Sequence, residues 1–327
     1  MKALVTGGGG FLGCSVVEQL LARRDQVTIL ARGQYPDLEK QGARLLRGDL
    51  QDAGAVAEAC RGMDVVFHIA ARAGHWGPWA EYYGPNVQGT AHVIAGCRAH
   101  GVPRLVYCSS PSVIFDGKSQ EGVDESYPYP PAYESPYPHT KALGEQLVLR
   151  ANSPELMTVS LRPHLIIGPR DRHLLPALLR VARKGYFPQI GDGRNVVDLT
   201  YVEDAARAHL LAADRLEPGS PVAGSVYFIT QGEPVALWPW IRALLARLGY
   251  PPIRLRLSLP AARALGGALE FLYRRLPLKG EPRLTRFLAS ELAQSHWYNI
   301  SRARNELGYQ PQFSMAEALE LTLPALR

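Results

Sequence analysis

Short apolar, β-branched runs alternate with helix-length amphipathic stretches through the first two thirds of the chain. They read "KALVT", "CSVVEQLLARR", "QVTIL", then "DVVFHIA", "AHVIAGCRAH", "RLVYCSS", "KALGEQLVLRA" and "TVSLRP". The strand-like runs are apolar almost throughout, so each needs cover on both faces, and the helices between them supply it. This predicts a parallel sheet with helices on both sides, a doubly wound α/β fold. Beyond Gly168 the rhythm changes to helix, turn, short strand, and a helix that Asp204 is expected to cap. The rest is Pro-rich and mostly helical, with "VYFIT" as the last strand of the main sheet. The expected organisation is a dinucleotide-binding domain over 1–168, rejoined by the chain around 195–230, and a smaller substrate-binding lobe formed by 169–194 and 231–327.

Composition narrows the class. A hydrophobic content of 46% with 20% charged residues is that of a soluble globular protein. "MKALVTGG" runs straight into a strand with no small-residue cleavage site. The most apolar region, Leu255 to Leu278, is broken by Arg256, Arg263, Glu270, Arg274 and Arg275, well short of the roughly 18 uninterrupted apolar residues of a membrane span. Cys14, Cys60, Cys97 and Cys108 form no C-x-x-C pair and fall on predicted helices and a strand, as reduced thiols of a cytoplasmic protein do. The net charge of +6 does not indicate nucleic acid, because the basic residues are not interleaved with aromatics on a binding module. It is local: residues 253–290 hold Arg254, Arg256, Arg263, Arg274, Arg275, Lys279, Arg283 and Arg286 against Glu270 and Glu281. That stretch reads as a solvated helix face, an entrance for an acidic substrate, a contact with a partner enzyme, or a peripheral contact with anionic lipid.

Four short motifs carry chemistry. "TGGGGFLG", Thr6 to Gly13, follows a strand and precedes a helix, where backbone N–H groups and a helix N-terminus hold a pyrophosphate. Two spacings fit it, G-x-x-G-x-x-G through Gly7, Gly10 and Gly13, or G-x-G-x-x-G through Gly8, Gly10 and Gly13. The second strand ends in Ala31 and Arg32 where a carboxylate would bind a ribose 2′-hydroxyl. A guanidinium there favours the 2′-phosphate, so NADP(H) is expected, with NAD(H) as the alternative. "YPHTK" sets Tyr137 and Lys141 on one helix face, and a phenol of pKa near ~10 needs such a cation to exchange a proton at neutral pH. "VYCSSPSV" offers Ser109, Ser110 and Ser112 at the carboxyl end of a strand, where a hydroxyl polarises a carbonyl. His68 reads as a packed core residue, and no metal-site spacing is present. His75 and Trp76 are candidates for the substrate pocket.

These motifs, with "GDL", "HIAA", "NVQGT", "LRPHLIIGP" and "ARNELGYQP", stand in the order of extended short-chain dehydrogenases/reductases, which the chain resembles over essentially its whole length. Through "ARAGHWG", "GDGRNVVDLTYVEDAARAHLLA" and "GEPRLTRFLASELAQSHWY" it is most similar to the 3β-hydroxysteroid dehydrogenase-like branch, and there to bacterial 2-alkyl-3-oxoalkanoate reductases of olefin biosynthesis. The resemblance implies Tyr137 as proton donor and acceptor, Lys141 as its tuner and a ribose ligand, and Ser110 as the catalytic hydroxyl. It selects the Gly7, Gly10, Gly13 frame, with Phe11 and Leu12 beside the cofactor. It places Asp49 and Leu50 by the adenine, Ala70 by the adenosine ribose and phosphates, and Pro163 by the nicotinamide. One departure is Ile114-Phe115 in place of the family's Tyr-Gly.

The implied activity is NADPH-dependent reduction of a long-chain 2-alkyl-3-oxo acid, with the leucine-rich C-terminal lobe taking the alkyl chains and Arg283 or Arg286 pairing with the carboxylate. The expected assembly is a homodimer. The alternatives are a 3β-hydroxysteroid or sterol-4-carboxylate dehydrogenase and, in another class, a non-catalytic NADP-binding sensor or scaffold. An intact Ser, Tyr and Lys set argues against the last.

Overall fold

The apolar runs pair as one seven-stranded parallel sheet in the computed structural model, which describes all residues except Lys184, Tyr186, Pro277, Lys279 and Arg327. The strands are β1 (Lys2–Thr6), β2 (Gln26–Ala31), β3 (Arg44–Arg47), β4 (Val65–His68), β5 (Arg104–Cys108), β6 (Met157–Pro163) and β7 (Ser225–Ile229). Across the sheet they run β7-β6-β5-β4-β1-β2-β3. The order reverses at β1, which pairs with β2 on one side and β4 on the other, so a crevice opens at the carboxyl ends of these strands.

The helices include α1 (Phe11–Ala22), α2 (Ala53–Cys60), α3 (Gly89–Ala99), α4 (Pro136–Ala151), α5 (Val202–Arg215), α6 (Leu259–Arg275) and α7 (Arg286–Ala293). Successive strand residues point to opposite faces. In β1, Ala3 and Val5 join a core with Val16 and Val17 of α1 and Ala205 of α5, while Leu4 joins another with Val56 of α2 and Val93 of α3. The four cysteines are free thiols on α1, α2, α3 and β5.

A second, four-stranded sheet gathers Gln120–Val123, Val196–Val197, Val235–Ala236 and His296–Tyr298 from distant parts of the chain. Its neighbouring core centres on Trp238, with Ile190, Val197, Ile241, Ala262 and Ala289 around it. Asp204 is not the helix cap expected from the sequence, because α5 begins at Val202 behind Tyr201. Its buried carboxylate instead accepts from Gln231 Nε2 (2.6 Å), Gln312 N (2.9 Å) and Phe313 N (3.3 Å), tying the C-terminal segment to the main domain.

Two local features fix the crevice. Gly7 has φ +70°, and a Cβ on it would lie 2.7 Å from Ala70 Cα; one on Gly13 would lie 2.1 Å from Gly7 O. Gly10 N donates to Gly7 O at 2.9 Å. The nearest atoms to a Cβ on Gly8 would be side-chain atoms of Ile29 and Val17, the first at 2.9 Å. The backbone requirement therefore falls on Gly7, Gly10 and Gly13. The second feature is the ion pair of Glu145 on α4 with Arg162 on β6, whose side chains are 0% and 3% exposed. Arg162 Nη2 donates to Glu145 Oε1 at 2.6 Å, and Tyr129 Oη and Ser160 Oγ each donate to the carboxylate at 2.7 Å. Burial raises the Glu145 carboxyl, but the Arg162 charge and these hydrogen bonds outweigh it and hold it below the usual range.

Gly7→Ala should weaken dinucleotide binding, measured by cofactor fluorescence, more than Gly8→Ala; the reverse order would restore the other glycine frame. Glu145→Ala leaves a buried guanidinium unpaired and should cost about 3–5 kcal/mol in urea unfolding. The wild-type carboxyl titrates lower folded than unfolded, so its contribution is present at neutral pH and lost as pH falls through the folded pKa. A loss below about 1 kcal/mol, no more than an exposed pair gives, would show that the pair does not hold the helix.

Candidate active site

The candidate catalytic groups lie on α4 and at the carboxyl end of β5. Pro136 opens α4 at a position where its missing N–H is no loss, and Ser135 before it donates through Oγ to His75 O at 3.0 Å. One helical turn separates Tyr137 from Lys141 on the face turned toward the sheet. Lys141 is 2% exposed. Its Nζ donates to Cys108 O at 2.6 Å and sits 4.1 Å above the centroid of the Tyr107 ring. Burial lowers its pKa to about 8, against the opposing pull of Cys108 and Glu145.

Tyr137 differs from the sequence expectation in one respect. Burial, then the neighbouring Cys108, raises the phenol above its ordinary value, and a hydrogen bond with Ser110 works the other way without reversing the shift. The Lys141 ammonium is directed at the Cys108 carbonyl, so in this geometry the phenol is held firmly protonated rather than made more acidic. Ser110, not Ser109, meets Tyr137. Ser109 is buried with its amide on Leu161 O at 2.6 Å, whereas Ser110 precedes the short turn Pro111–Ile114 and accepts at Oγ from Ser112 N (3.2 Å) and Ser112 Oγ (3.0 Å).

Asn86, which sequence reasoning quoted only within "NVQGT", holds the far side. It lies in a π-helical turn, Gly84–Gln88, a rare element that recurs at functional sites. Asn86 Oδ1 accepts from Arg72 N at 2.7 Å, and Nδ2 donates to Arg72 O at 3.1 Å and Thr140 Oγ1 at 3.0 Å. This clamps the loop after β4 to α4 beside Lys141. His68 is a core residue between Thr6 Oγ1 (2.7 Å) and Thr90 Oγ1 (3.0 Å), and burial, aided by Lys141, lowers its pKa to about 3.

The elements expected to hold a dinucleotide line the same edge. Gly10 precedes α1 with no capping side chain, and the first turn carries no acid, so the amide-rich end beside Phe11 and Leu12 suits a pyrophosphate. Ala70 N donates to Thr6 O at 3.1 Å, which holds the Ala70 backbone against Gly7. Arg32 is exposed, with Nη1 3.7 Å from Asp49 Oδ2; Leu50 is buried against Gly89, and Pro163 ends β6. Tyr35, which sequence reasoning missed, lays its ring over Gly9, where a Cβ would land 1.9 Å from Cζ.

The substrate candidates divide. His75 Nε2 lies 3.6 Å from Glu281 Oε2, and Trp76 meets the Tyr273 ring edge-on at 6.5 Å beneath the Arg274 guanidinium, at 5.3 Å. Arg286 is not free for a substrate carboxylate, since Nη2 pairs with Glu270 at 2.8 Å and its amide donates to the same carboxylate at 2.7 Å. Arg283 is exposed and makes no ion pair among the described residues, and Lys279 lies outside them. Phe115, in the departure from the family pattern, is buried edge-on to Phe287 (5.9 Å) and His296 (6.2 Å), filling the junction between the two sheets.

Comparison with known proteins places this geometry. A profile of the 3-beta hydroxysteroid dehydrogenase/isomerase family matches residues 4–260. The chain is 47% identical over 322 residues to the 2-alkyl-3-oxoalkanoate reductase of Stenotrophomonas maltophilia (strain K279a), covering 98% of this chain and 97% of that protein. Identity is 42% over 326 residues with the protein of the same name from Shewanella oneidensis, covering 97% and 84%. It is 35% over 331 residues with the human sterol-4-alpha-carboxylate 3-dehydrogenase, decarboxylating, covering 100% and 88%. Among solved structures, MoeE5 in complex with UDP-glucose and NAD superposes with a TM-score of 0.76 at 26% identity, covering 100% of this chain and 99% of that one. A dTDP-glucose 4,6-dehydratase of Streptomyces venezuelae with NAD bound gives a TM-score of 0.76 at 26% identity, covering 100% and 97%. The chain belongs to the 3-beta hydroxysteroid dehydrogenase/isomerase family and is an oxidoreductase of the extended short-chain dehydrogenase/reductase type.

Proposed function

We propose that this oxidoreductase uses NADPH to reduce the 3-oxo group of a long-chain 2-alkyl-3-oxo acid to a hydroxyl. The carrying observation is the Ser110–Tyr137 hydroxyl couple on the crevice edge, with its phenol held protonated and a buried ammonium one turn away. A protonated phenol is the form that reduction needs, since the ketone oxygen must gain a proton. The substrate class is supported by the 47% and 42% identities to two reductases of that name over nearly the whole chain.

When bound, the nicotinamide cofactor supplies the hydride. Gly7, Gly10, Gly13, Phe11 and Leu12 would hold its pyrophosphate, Ala70, Tyr137 and Lys141 the riboses and phosphates, Asp49 and Leu50 the adenine, and Pro163 the nicotinamide. Arg32 would take the 2′-phosphate as a forked pair of hydrogen bonds, exchanging its long contact with Asp49 for a stronger one. Ser110 Oγ and Tyr137 Oη donate to the ketone oxygen, and as negative charge gathers there the Tyr137 proton moves onto it. Lys141, at a pKa of about 8, keeps most of its charge at neutral pH, and turning its ammonium from the Cys108 carbonyl toward the phenol oxygen would stabilise the phenolate left behind.

The oxidative reading, a sterol-4-carboxylate dehydrogenase, has the 35% identity to the human protein in its favour. A substrate panel separates the two. NADPH oxidation with a long-chain 2-alkyl-3-oxo acid and none with steroids supports the reductase, while NADP reduction with a 3β-hydroxysteroid alone supports the other. Tyr137→Phe should abolish turnover while cofactor fluorescence still titrates; full activity in that variant would remove the phenol from the mechanism. Lys141 loses its charge as pH rises through about 8, so kcat/KM for reduction should fall there, and a profile flat to high pH would exclude its role. Arg32→Ala should weaken NADPH binding by about tenfold or more, the worth of a charge-assisted hydrogen bond, and leave NADH nearly unchanged. Equal losses for both cofactors would overturn the NADP preference.

A further inference from the structure

Helix α6 turns Arg263 and Glu270 toward the protein and a row of apolar side chains outward. Arg263 Nη1 donates to Ser290 Oγ at 2.6 Å, and its Nη2 pairs with Glu134 at 2.6 Å. Glu270 is buried against Arg286. Gly266 lets α6 press on the chain entering α7, where a Cβ would come within 2.7 Å of the Thr285 carbonyl carbon. On the opposite face Ala261, Ala264, Leu265, Ala268, Phe271 and Leu272 recur at three- and four-residue spacing and are all exposed. Leu265 is 48% and Phe271 58% exposed, and Leu276 and Leu278, just beyond the helix, are 49% and 47% exposed. A soluble surface helix has the reverse pattern, and a contiguous apolar ridge of this kind marks a contact surface.

The flanking charges say what covers it. Arg254 and Arg256 are exposed with Leu255 before the helix, and Arg274 and Arg275 are exposed at its end. The one carboxylate on the helix, Glu270, faces inward. A second copy docked by this face through a two-fold axis would set like charges together, whereas an anionic surface matches both the ridge and its rim. No helix among the described residues is long and apolar enough to cross a membrane, which fits a helix lying in the interface.

We propose that the outward face of α6 docks this protein on an anionic lipid bilayer. The docked face leads to the active site, because Tyr273 meets Trp76 edge-on, Arg274 lies over the same ring, and His75 O accepts from Ser135 two residues ahead of Tyr137. A substrate with long alkyl chains then reaches the Trp76 loop from the bilayer without crossing water; this last step alone rests on the proposed activity.

Sedimentation of the full chain with vesicles tests the docking without substrate or cofactor. Wild-type protein should bind phosphatidylcholine vesicles containing about 30 mol% phosphatidylglycerol at least about tenfold more tightly than pure phosphatidylcholine. The Leu265→Asp/Phe271→Asp variant should lose about tenfold or more of that binding, and Arg254→Gln/Arg256→Gln/Arg275→Gln should lose the preference for anionic lipid. Both alter exposed residues, and an unchanged thermal midpoint shows that they fold. Absence of wild-type binding to the anionic vesicles, or full binding by Leu265→Asp/Phe271→Asp, would overturn the proposal. So would conversion of a lipid-free dimer to monomer by that variant, since the face would then belong to a second copy. Because no turnover is measured, failure of the docking is distinguishable from failure of the reductase reading.

Discussion

Two opposite charges almost sealed from water, Glu145 and Arg162, hold helix α4 against the sheet. An ion pair so buried adds little net stability over an apolar contact, because desolvation offsets most of the attraction. Its use is geometric. The guanidinium and carboxylate meet through several directional bonds, which allow one placement of α4 over β6. Glu145 lies one turn beyond Lys141 and two beyond Tyr137, so fixing it fixes both reactive side chains in height and rotation. A neighbouring leucine contact would tolerate sliding by fractions of an ångström, and proton transfer would not.

The same pair shapes the electrostatics. Among the described residues no carboxylate touches the Lys141 ammonium; it has a carbonyl, an aromatic face and the Glu145 charge one turn away. A closer acid would keep Lys141 permanently charged and draw its field away from the phenol. A more distant one would let burial strip the proton altogether. A pKa of about 8 lies between these limits. Burial and the neighbouring Cys108 keep Tyr137 protonated, and Ser110 is the group that opposes the shift. A phenol kept protonated can give a proton, as the proposed reduction of a ketone requires.

How much of this was legible depended on whether a signal was local and periodic. The strands rich in valine and isoleucine were readable as runs, and Tyr137 and Lys141 were readable because helical spacing puts them on one face. Strand β3, "RLLR", was not, since an edge strand pairs on one side only and needs no β-branched run. The second sheet was illegible for a different reason. Strands as short as the two residues of Val196–Val197 show no period, and the sheet exists only once segments near residues 120, 196, 235 and 296 meet. Asp204 was misread because a carboxylate in a helix's first turn normally serves that helix, and here distant backbone amides claim it. Asn86 hid in a π-turn, which has no local sequence signature.

The basic C-terminal stretch shows what a charge count leaves out. By sequence, residues 253–290 carry a local excess of positive charge, yet Arg286 neutralises the buried Glu270 and Arg263 pairs with the part-exposed Glu134. What remains outside is a few arginines at the ends of an apolar helix face, a different object from a basic patch. Once the inward pairs are subtracted, the guanidiniums flank the apolar ridge, and in the proposed docking Leu265 and Phe271 would make the contact. An acidic small molecule would find few free cations there and an apolar ridge of no use to it; an extended surface with an apolar interior and an anionic skin is matched by both. The inversion of α6 follows from its partner: α7 and Thr285 supply polar groups to its inner face, so the charges are satisfied within the protein and the apolar side chains are left to face outward.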